Sequence, residues 1–281
     1  MDANIWKAAA GFGFILALAF ALLWLRGGAA GGAGSGAPER PLDPAPAPAP
    51  APKIPDEAGT AAGVARLLGH ADPKVRKEAV ELLAALDPKL AAERLPELLK
   101  READPGAQLA ALHAAGLAKA GGAYEAVFGL LDSEEPSVRR KAAVTLAQLA
   151  AGLPEEQRVR AAERIALGLQ NEQKKLRAPL QAADAGALLP YLGALGETGT
   201  PAAAPALLGC LRSAAVPLVR RMAADALDKV ARKEHQAALE AAWRAEAEPL
   251  VRQALEKILA RPPFNHRIKE GAKVLAPEAK E

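Results

Sequence analysis

Side chains able to carry chemistry are few in this sequence, and they stand apart. Four histidines, His70, His113, His235 and His266, are scattered along the chain, and none has a second ligand at metal spacing. Cys-x-x-Cys, His-Glu-x-x-His and acidic calcium-loop patterns do not occur, so no metal site is expected. The single cysteine, Cys210, lies in the apolar run Ala206 to Leu211 with Arg212 as its one basic neighbour. It can form no intramolecular disulfide, and one nearby cation is not enough to make an activated thiolate. Gly121-Gly122 does not follow a strand and reads as a turn, not as a phosphate cradle. Glu134-Glu135 and Glu155-Glu156 fall at helix starts, where acidic residues act as caps. The sequence therefore nominates no catalytic, cofactor-binding or metal-ligating residue, and the chain is expected not to be an enzyme.

A nucleic-acid partner is also disfavoured. Formal net charge is only +3, from 36 Lys+Arg against 33 Asp+Glu, with both signs interleaved. The basic triplet Arg139-Arg140-Lys141 is the densest cluster, yet a duplex needs a continuous basic face. Between residues 57 and 262 the aromatic side chains are Trp243, Tyr124, Tyr191 and Phe128. Those are too few to line a stacking surface. The same scarcity bears on the fold. Hydrophobic residues make up 51% and aromatics 4%, so the apolar content is mostly Ala, Leu and Val, which favours closely packed helices over a β-sandwich.

The strongest pattern is a phrase that returns at intervals of roughly 31 to 43 residues. It reads Asp72-Pro73-Lys74-Val75-Arg76, then Glu135-Pro136-Ser137-Val138-Arg139, Val216-Pro217-Leu218-Val219-Arg220 and Glu248-Pro249-Leu250-Val251-Arg252. Behind Val75 follow Ala79, Leu82, Leu83 and Leu86, one face of a helix. Val138, Ala142, Leu146 and Leu149 repeat it, as do Val219, Ala223, Ala226, Leu227 and Val230, and then Val251, Leu255, Ile258 and Leu259. Proline in the first turn sacrifices no hydrogen bond, and an acid before it suits a helix N-terminus. Shorter apolar helices alternate with these, at Leu95 to Leu99, Ala126 to Leu131, Ala162 to Leu169, Ala204 to Leu211 and Ala238 to Trp243. Weaker copies of the phrase begin at Asp104-Pro105-Gly106-Ala107 and at Lys175-Leu176-Arg177. In the second, Pro179 fits a first turn, whereas Pro190 is expected to kink or end the helix. A period of this length is the mark of stacked helical hairpins. The expected fold is an all-α solenoid of about six two-helix units over residues 57–262, with residues 263–281 as a tail.

These phrases, with Leu192-Gly193-Ala194-Leu195-Gly196 before Pro201-Ala202-Ala203-Ala204-Pro205, resemble HEAT repeats, most of all the short variety first noted in phycobiliprotein lyases. The resemblance covers residues 57–262. It implies that Arg76, Arg139, Arg220 and Arg252 bond acidic residues of a neighbouring turn and form a ladder between units. That ladder should break at Ala107-Gln108, which lacks both the branched residue and the arginine. It further implies a concave groove lined by the second helix of each unit. The surfaces so marked run between Glu93 and Arg101, between Arg158 and Gln170 and between Glu234 and Arg244.

Ahead of the repeats, Ala8 to Leu25 is an uncharged stretch of 18 residues, long enough at roughly 27 Å to cross a hydrocarbon core. Trp6 and Lys7 flank one side of it, Trp24 and Arg26 the other, as membrane interfaces favour. Residues 1–7 form a short tip, 8–25 an expected transmembrane helix, and 26–56 a linker. Small residues after Arg26 keep a cleaved signal peptide as the competing reading. In the linker Gly27 to Gly36 is Gly/Ala-rich, and Pro44 to Pro52 alternates Ala and Pro, which holds a polyproline II spacer. Such a spacer looks like a stalk across part of a bacterial envelope. The expectation is a single-pass protein of the cell membrane with its repeats on the periplasmic or outer side; the nearly balanced flanking charges also permit a cytoplasmic-facing array. Its partner is expected to be a protein held in the groove, with the membrane engaged through the N-terminal helix, no cofactor, no small-molecule substrate and no nucleic acid. An enzyme of the chromophore-lyase type and a nucleic-acid-binding HEAT-like protein are the alternatives.

Overall fold

The computed structural model describes residues 60–176 and 182–264. The expected anchor, the linker through residue 56 and nearly all of the tail lie outside them. Twelve α-helices follow one another among the described residues: α1 Ala61–Leu67, α2 Pro73–Leu86, α3 Pro88–Arg101, α4 Pro105–Leu117, α5 Tyr124–Gly129, α6 Pro136–Ala150, α7 Glu155–Lys175, α8 Ala182–Glu197, α9 Ala204–Ser213, α10 Pro217–Val230, α11 Gln236–Ala245 and α12 Pro249–Ala260. None of them is long and apolar enough to cross a membrane.

Helix starts follow the capping logic of the sequence. Pro73, Pro105 and Pro136 occupy the first turns, and the preceding Asp72, Asp104 and Glu135 carboxylates accept the backbone N–H groups of Lys74, Ala107 and Ser137. Asp87 does the same for Lys89 and Leu90 ahead of Pro88, at 3.1 and 3.0 Å. Each such cap satisfies a donor that the helix leaves unpaired. Glu248 departs from the pattern, because its side chain makes no capping bond.

Two boundaries differ from the sequence reading. The shorter helix expected over Ala162 to Leu169 runs on as α7 to Lys175, since Asn171-Glu172-Gln173-Lys174 contains neither Pro nor Gly to stop it; Pro179, expected in the first turn of the next helix, lies outside the described residues. Pro190 does not end α8, which continues to Glu197. Leu188, Tyr191, Leu192 and Leu195 are all buried around it, and that packing outweighs the one backbone bond a proline removes.

The helices pair into two layers. The even-numbered helices, which apart from α8 carry the Val-Arg phrase or its weaker copy at Asp104, stack directly on one another from α2 to α12, while the odd-numbered ones form the second layer. Approach within the even layer is close. The Thr145 hydroxyl of α6 donates to the Leu112 carbonyl of α4 at 3.1 Å. Gly196 of α8 leaves so little room that a Cβ there would lie 3.1 Å from the Cα of Ala226 in α10. Between odd-layer helices the bridges are long side chains: the Tyr124 hydroxyl donates to the Gln157 carbonyl at 3.0 Å, and Arg160 meets Glu125 at 2.7 Å. A stack whose two layers have unequal spacing curves towards the tighter one, so the even helices form the inner layer. The core is shared by both layers, with Leu83, Leu95, Leu98, Leu112, Leu146, Ile165, Leu195 and Leu227 at most 1% exposed.

Candidate interaction surface

The arginine ladder is the most regular side-chain feature. Arg76 places its guanidinium on both oxygens of Glu102 at 2.6 Å, and its Nη1 donates to the carbonyls of His70 and Ala71. Arg220 repeats this with Glu246 at 2.8 Å and with the carbonyls of Ala214 and Ala215. Arg139 does so with one oxygen of Glu172, at 2.9 and 2.6 Å, and with Ser133 and Glu134. Each arginine thus ties the loop before its own inner helix to the end of the next outer helix. The carboxylates are at most 7% exposed at the side chain, and paired burial of this kind keeps them charged. Hydrogen bonds from Arg76 and Arg220 hold Glu102 and Glu246 below the usual carboxylate range. At Glu172 burial pushes upward, and bonds from Arg139 and Lys175 overcome it.

Among the described residues the fourth arginine does not join the ladder. Arg252 lies over the Trp243 ring at 4.9 Å and stands 3.7 Å from Glu256 on its own helix. No further unit follows α12 among the described residues to supply a carboxylate at the next outer-helix end. At α4, buried Gln108 turns back on its own loop and donates to the Glu102 carbonyl at 2.7 Å. The ladder is interrupted there, where the sequence places its break.

The residues screened for chemistry remain separate. His70 and His235 accept the backbone N–H groups of Asp72 and Arg232 through Nδ1, each at 3.0 Å, so both serve local turns. His113 meets the Lys141 ammonium at 3.1 Å, and burial lowers the pKa of that lysine. His266 lies outside the described residues. Cys210 is buried, with the Gln173 amide 3.2 Å from its sulfur, and burial pushes the thiol up. Gly121-Gly122 forms a short 3₁₀ turn with Ala123. Among the described residues no group of three His, Cys, Asp or Glu is placed to hold a metal.

The open face of the inner layer is the larger feature. Registered on the Val-Arg phrase, and in α8 on the buried Tyr191, Leu192, Ala194 and Leu195 that match Ala223, Ala224, Ala226 and Leu227 of α10, Lys77, Leu109, Arg140, Leu189, Arg221 and Gln253 align across the stack. Glu81, His113, Val144, Gly193, Asp225 and Lys257 align beside them. Leu109, Val144 and Leu189 are half-buried in the middle of this face, while Lys77, Glu81, Gln253 and Lys257 are exposed towards its ends. An apolar cleft of about 340 Å³ opens between α2 and α4, with Ala84, Ala85, Pro88, Ala114 and Leu117 in its walls. The stretches 93–101, 158–170 and 234–244, which the family resemblance marks as groove-lining, belong to α3, α7 and α11 of the outer layer. The tighter stacking lies in the other set of helices.

The family model for HEAT repeats matches residues 60–147 and 174–260. The chain belongs to the HEAT-repeat family, and its described part is an all-helical solenoid of such repeats. The match concerns HEAT repeats in general, not the lyase variety. Among curated proteins none matches the chain. The crystal structure of an engineered protein is similar to it, with 22% identity and a TM-score of 0.45, over 71% of this chain and 94% of that chain.

Proposed function

We propose that this chain is a membrane-tethered, non-enzymatic scaffold that holds a protein partner on the inner face of its HEAT repeats. The observation that carries the reading is that inner face, with half-buried Leu109, Val144 and Leu189 around Arg140 in its middle and charged side chains at its ends. Apolar anchors within a polar rim are the usual composition of a protein-binding surface, and an extended groove suits a peptide or helix. Tethering rests on the uncharged stretch Ala8 to Leu25, and stand-off on the Ala-Pro linker behind it. With the repeats on the outer side of the cytoplasmic membrane, the partner would be a protein of that compartment.

Photo-crosslinking in native membranes tests this. A photoreactive residue at Val144 or Leu189 of the full chain should capture one reproducible protein, and the same residue at Glu93 or Glu163 of the outer layer should not. Capture from both layers alike, or stoichiometric copurification of a pigment or of nucleic acid, overturns the reading. Protease access to the repeats in spheroplasts reports their side separately, and full protection would place them in the cytoplasm.

A further inference from the structure

The two ends of the stack are built differently. Each inner helix with a neighbour before it turns one register position towards that neighbour. In α6 this is Thr145, bonded to the Leu112 carbonyl, and in α10 it is Ala226, packed on Gly196. The equivalent residue of α2 is Leu82. No described helix precedes α2 in the inner layer, and Leu82 is 48% exposed, with Leu86 one turn on at 50% and Leu67 of α1 at 39%. At the far end the position facing the following inner helix is Val80, Leu112, Ala143 or Ala224, every one of them buried. In α12 that position is Glu256, which accepts the Trp243 indole N–H at 3.0 Å and stands by Arg252. One end of the solenoid is thus closed with polar side chains, whereas the other presents leucines where a covering helix would sit.

We propose that this N-terminal end, at Leu67, Leu82 and Leu86, pairs with the same face of a second copy of the chain. The register argument defines the occupant as a helix, because every equivalent position in the stack is covered by one. Head-to-tail stacking fails, since it would set Glu256 and Arg252 of one copy against leucines of the next. Closed two-fold pairing of the apolar ends remains. The adjoining stretch of residues 27–59 is a poor substitute, because its large apolar residues are only Leu42 and Ile54 among Gly, Ala and Pro. Charge permits the match as well: the charged residues nearest the three leucines in sequence are Arg66, Lys74 and Lys89 against Glu78, Glu81 and Asp87, so two copies meet without net repulsion. With three leucines at its centre the contact belongs among small, reversible interfaces. It does not rest on the inner-face reading above, and its three leucines are not among the residues of that face.

Disulfide trapping of the full chain in detergent, with Cys210 replaced by Ser, is the test. Leu82→Cys should form a covalent dimer on mild oxidation at least about ten-fold faster than Gln253→Cys at the polar end. Dimer formation through Leu67→Cys should vanish when Leu86→Glu is added, while the melting temperature stays unchanged, because Leu86 is already half-exposed. Equal rates at the two ends would overturn the proposal, as would Leu67→Cys trapping that survives Leu86→Glu. A Leu82→Cys chain that neither dimerises nor reacts with maleimide would also overturn it, by showing the patch covered from within the same chain.

Discussion

The guanidinium of Arg139 reaches the carboxylate of Glu172 across 33 residues of sequence, at 2.6 Å, and so joins the start of α6 to the last turn of α7. Arg76 and Arg220 reach Glu102 and Glu246 across 26. The pair is the same although the spacing is not, because the carboxylate is defined by its place at the end of the outer helix and not by its distance along the chain. The longer interval accommodates the 21 residues of α7.

Glu246 is the most direct place to weigh this ladder. Glu246→Gln keeps the shape but leaves the Arg220 guanidinium without its counter-charge in a largely buried setting. Loss of one partner of such a pair costs about 2–4 kcal/mol, more than the pair itself contributes over an apolar replacement. A fall in urea midpoint with unchanged slope is expected by circular dichroism. Glu197→Gln, which removes the exposed partner of Lys229, should leave the midpoint where it was.

The ladder also sets how the protein responds to acid. Glu102, Glu172 and Glu246 all have folded-state pKa values below the ordinary range. Groups shifted in that direction contribute stability that is fully present above the unfolded carboxylate pKa of about 4.3 and is lost as pH falls through the folded value. Denaturation midpoints should be flat between about pH 7 and 5 and drop below that. In Glu246→Gln the drop should be shallower, since one of the contributing groups no longer titrates.

The repeat phrase made much of this fold legible. Val138, Ala142, Leu146, Val219, Ala223 and Leu227, assigned to one helix face by periodicity, are all fully buried, and the missing arginine at Gln108 marks the interrupted rung. Leu82 and Leu86 share the periodic face of Leu83 yet are half-exposed, because burial there depends on whether a helix precedes, which periodicity cannot register. The acidic partners were not legible, since Glu102 and Glu172 look like any other surface acid until the neighbouring helix is placed. The tighter stacking of the even-numbered helices is likewise not legible in the sequence. Curvature comes from inter-helix spacing, at contacts such as that of Gly196 with Ala226, and spacing between distant residues leaves no local period. Pro190 does not end α8, because there the local rule gives way to packing on both sides of the helix.

Cys210 gives a reporter of unfolding. Its thiol is buried and its pKa raised by that burial, so little thiolate exists at neutral pH and reagents cannot approach it. Modification by a thiol-reactive dye should proceed only as fast as the helices around α9 open, and addition of urea through the transition should accelerate it by orders of magnitude. Rapid stoichiometric labelling of the native chain would contradict the burial of α9.

Lys119 offers a change in the stabilising direction. α4 ends in a Schellman motif: the Ala120 N–H donates to the Ala115 carbonyl at 3.0 Å and the Lys119 N–H to the Gly116 carbonyl at 3.3 Å. The motif requires a left-handed residue between them, and Lys119 supplies it at φ 49°. At the end of α8 the equivalent residue is Gly199, at φ 64°, whose N–H donates to the Gly196 carbonyl. A side chain in this conformation brings its Cβ against the backbone, whereas glycine adopts it without penalty. Lys119→Gly should therefore stabilise the protein by about 0.5–1 kcal/mol, the strain relieved exceeding the added freedom of the unfolded chain. Gly199→Lys should cost a similar amount, about 1 kcal/mol, by importing that strain into α8. Urea melts of the two variants should shift in opposite directions; a common direction would mean that the ends of α4 and α8 do not share one geometry.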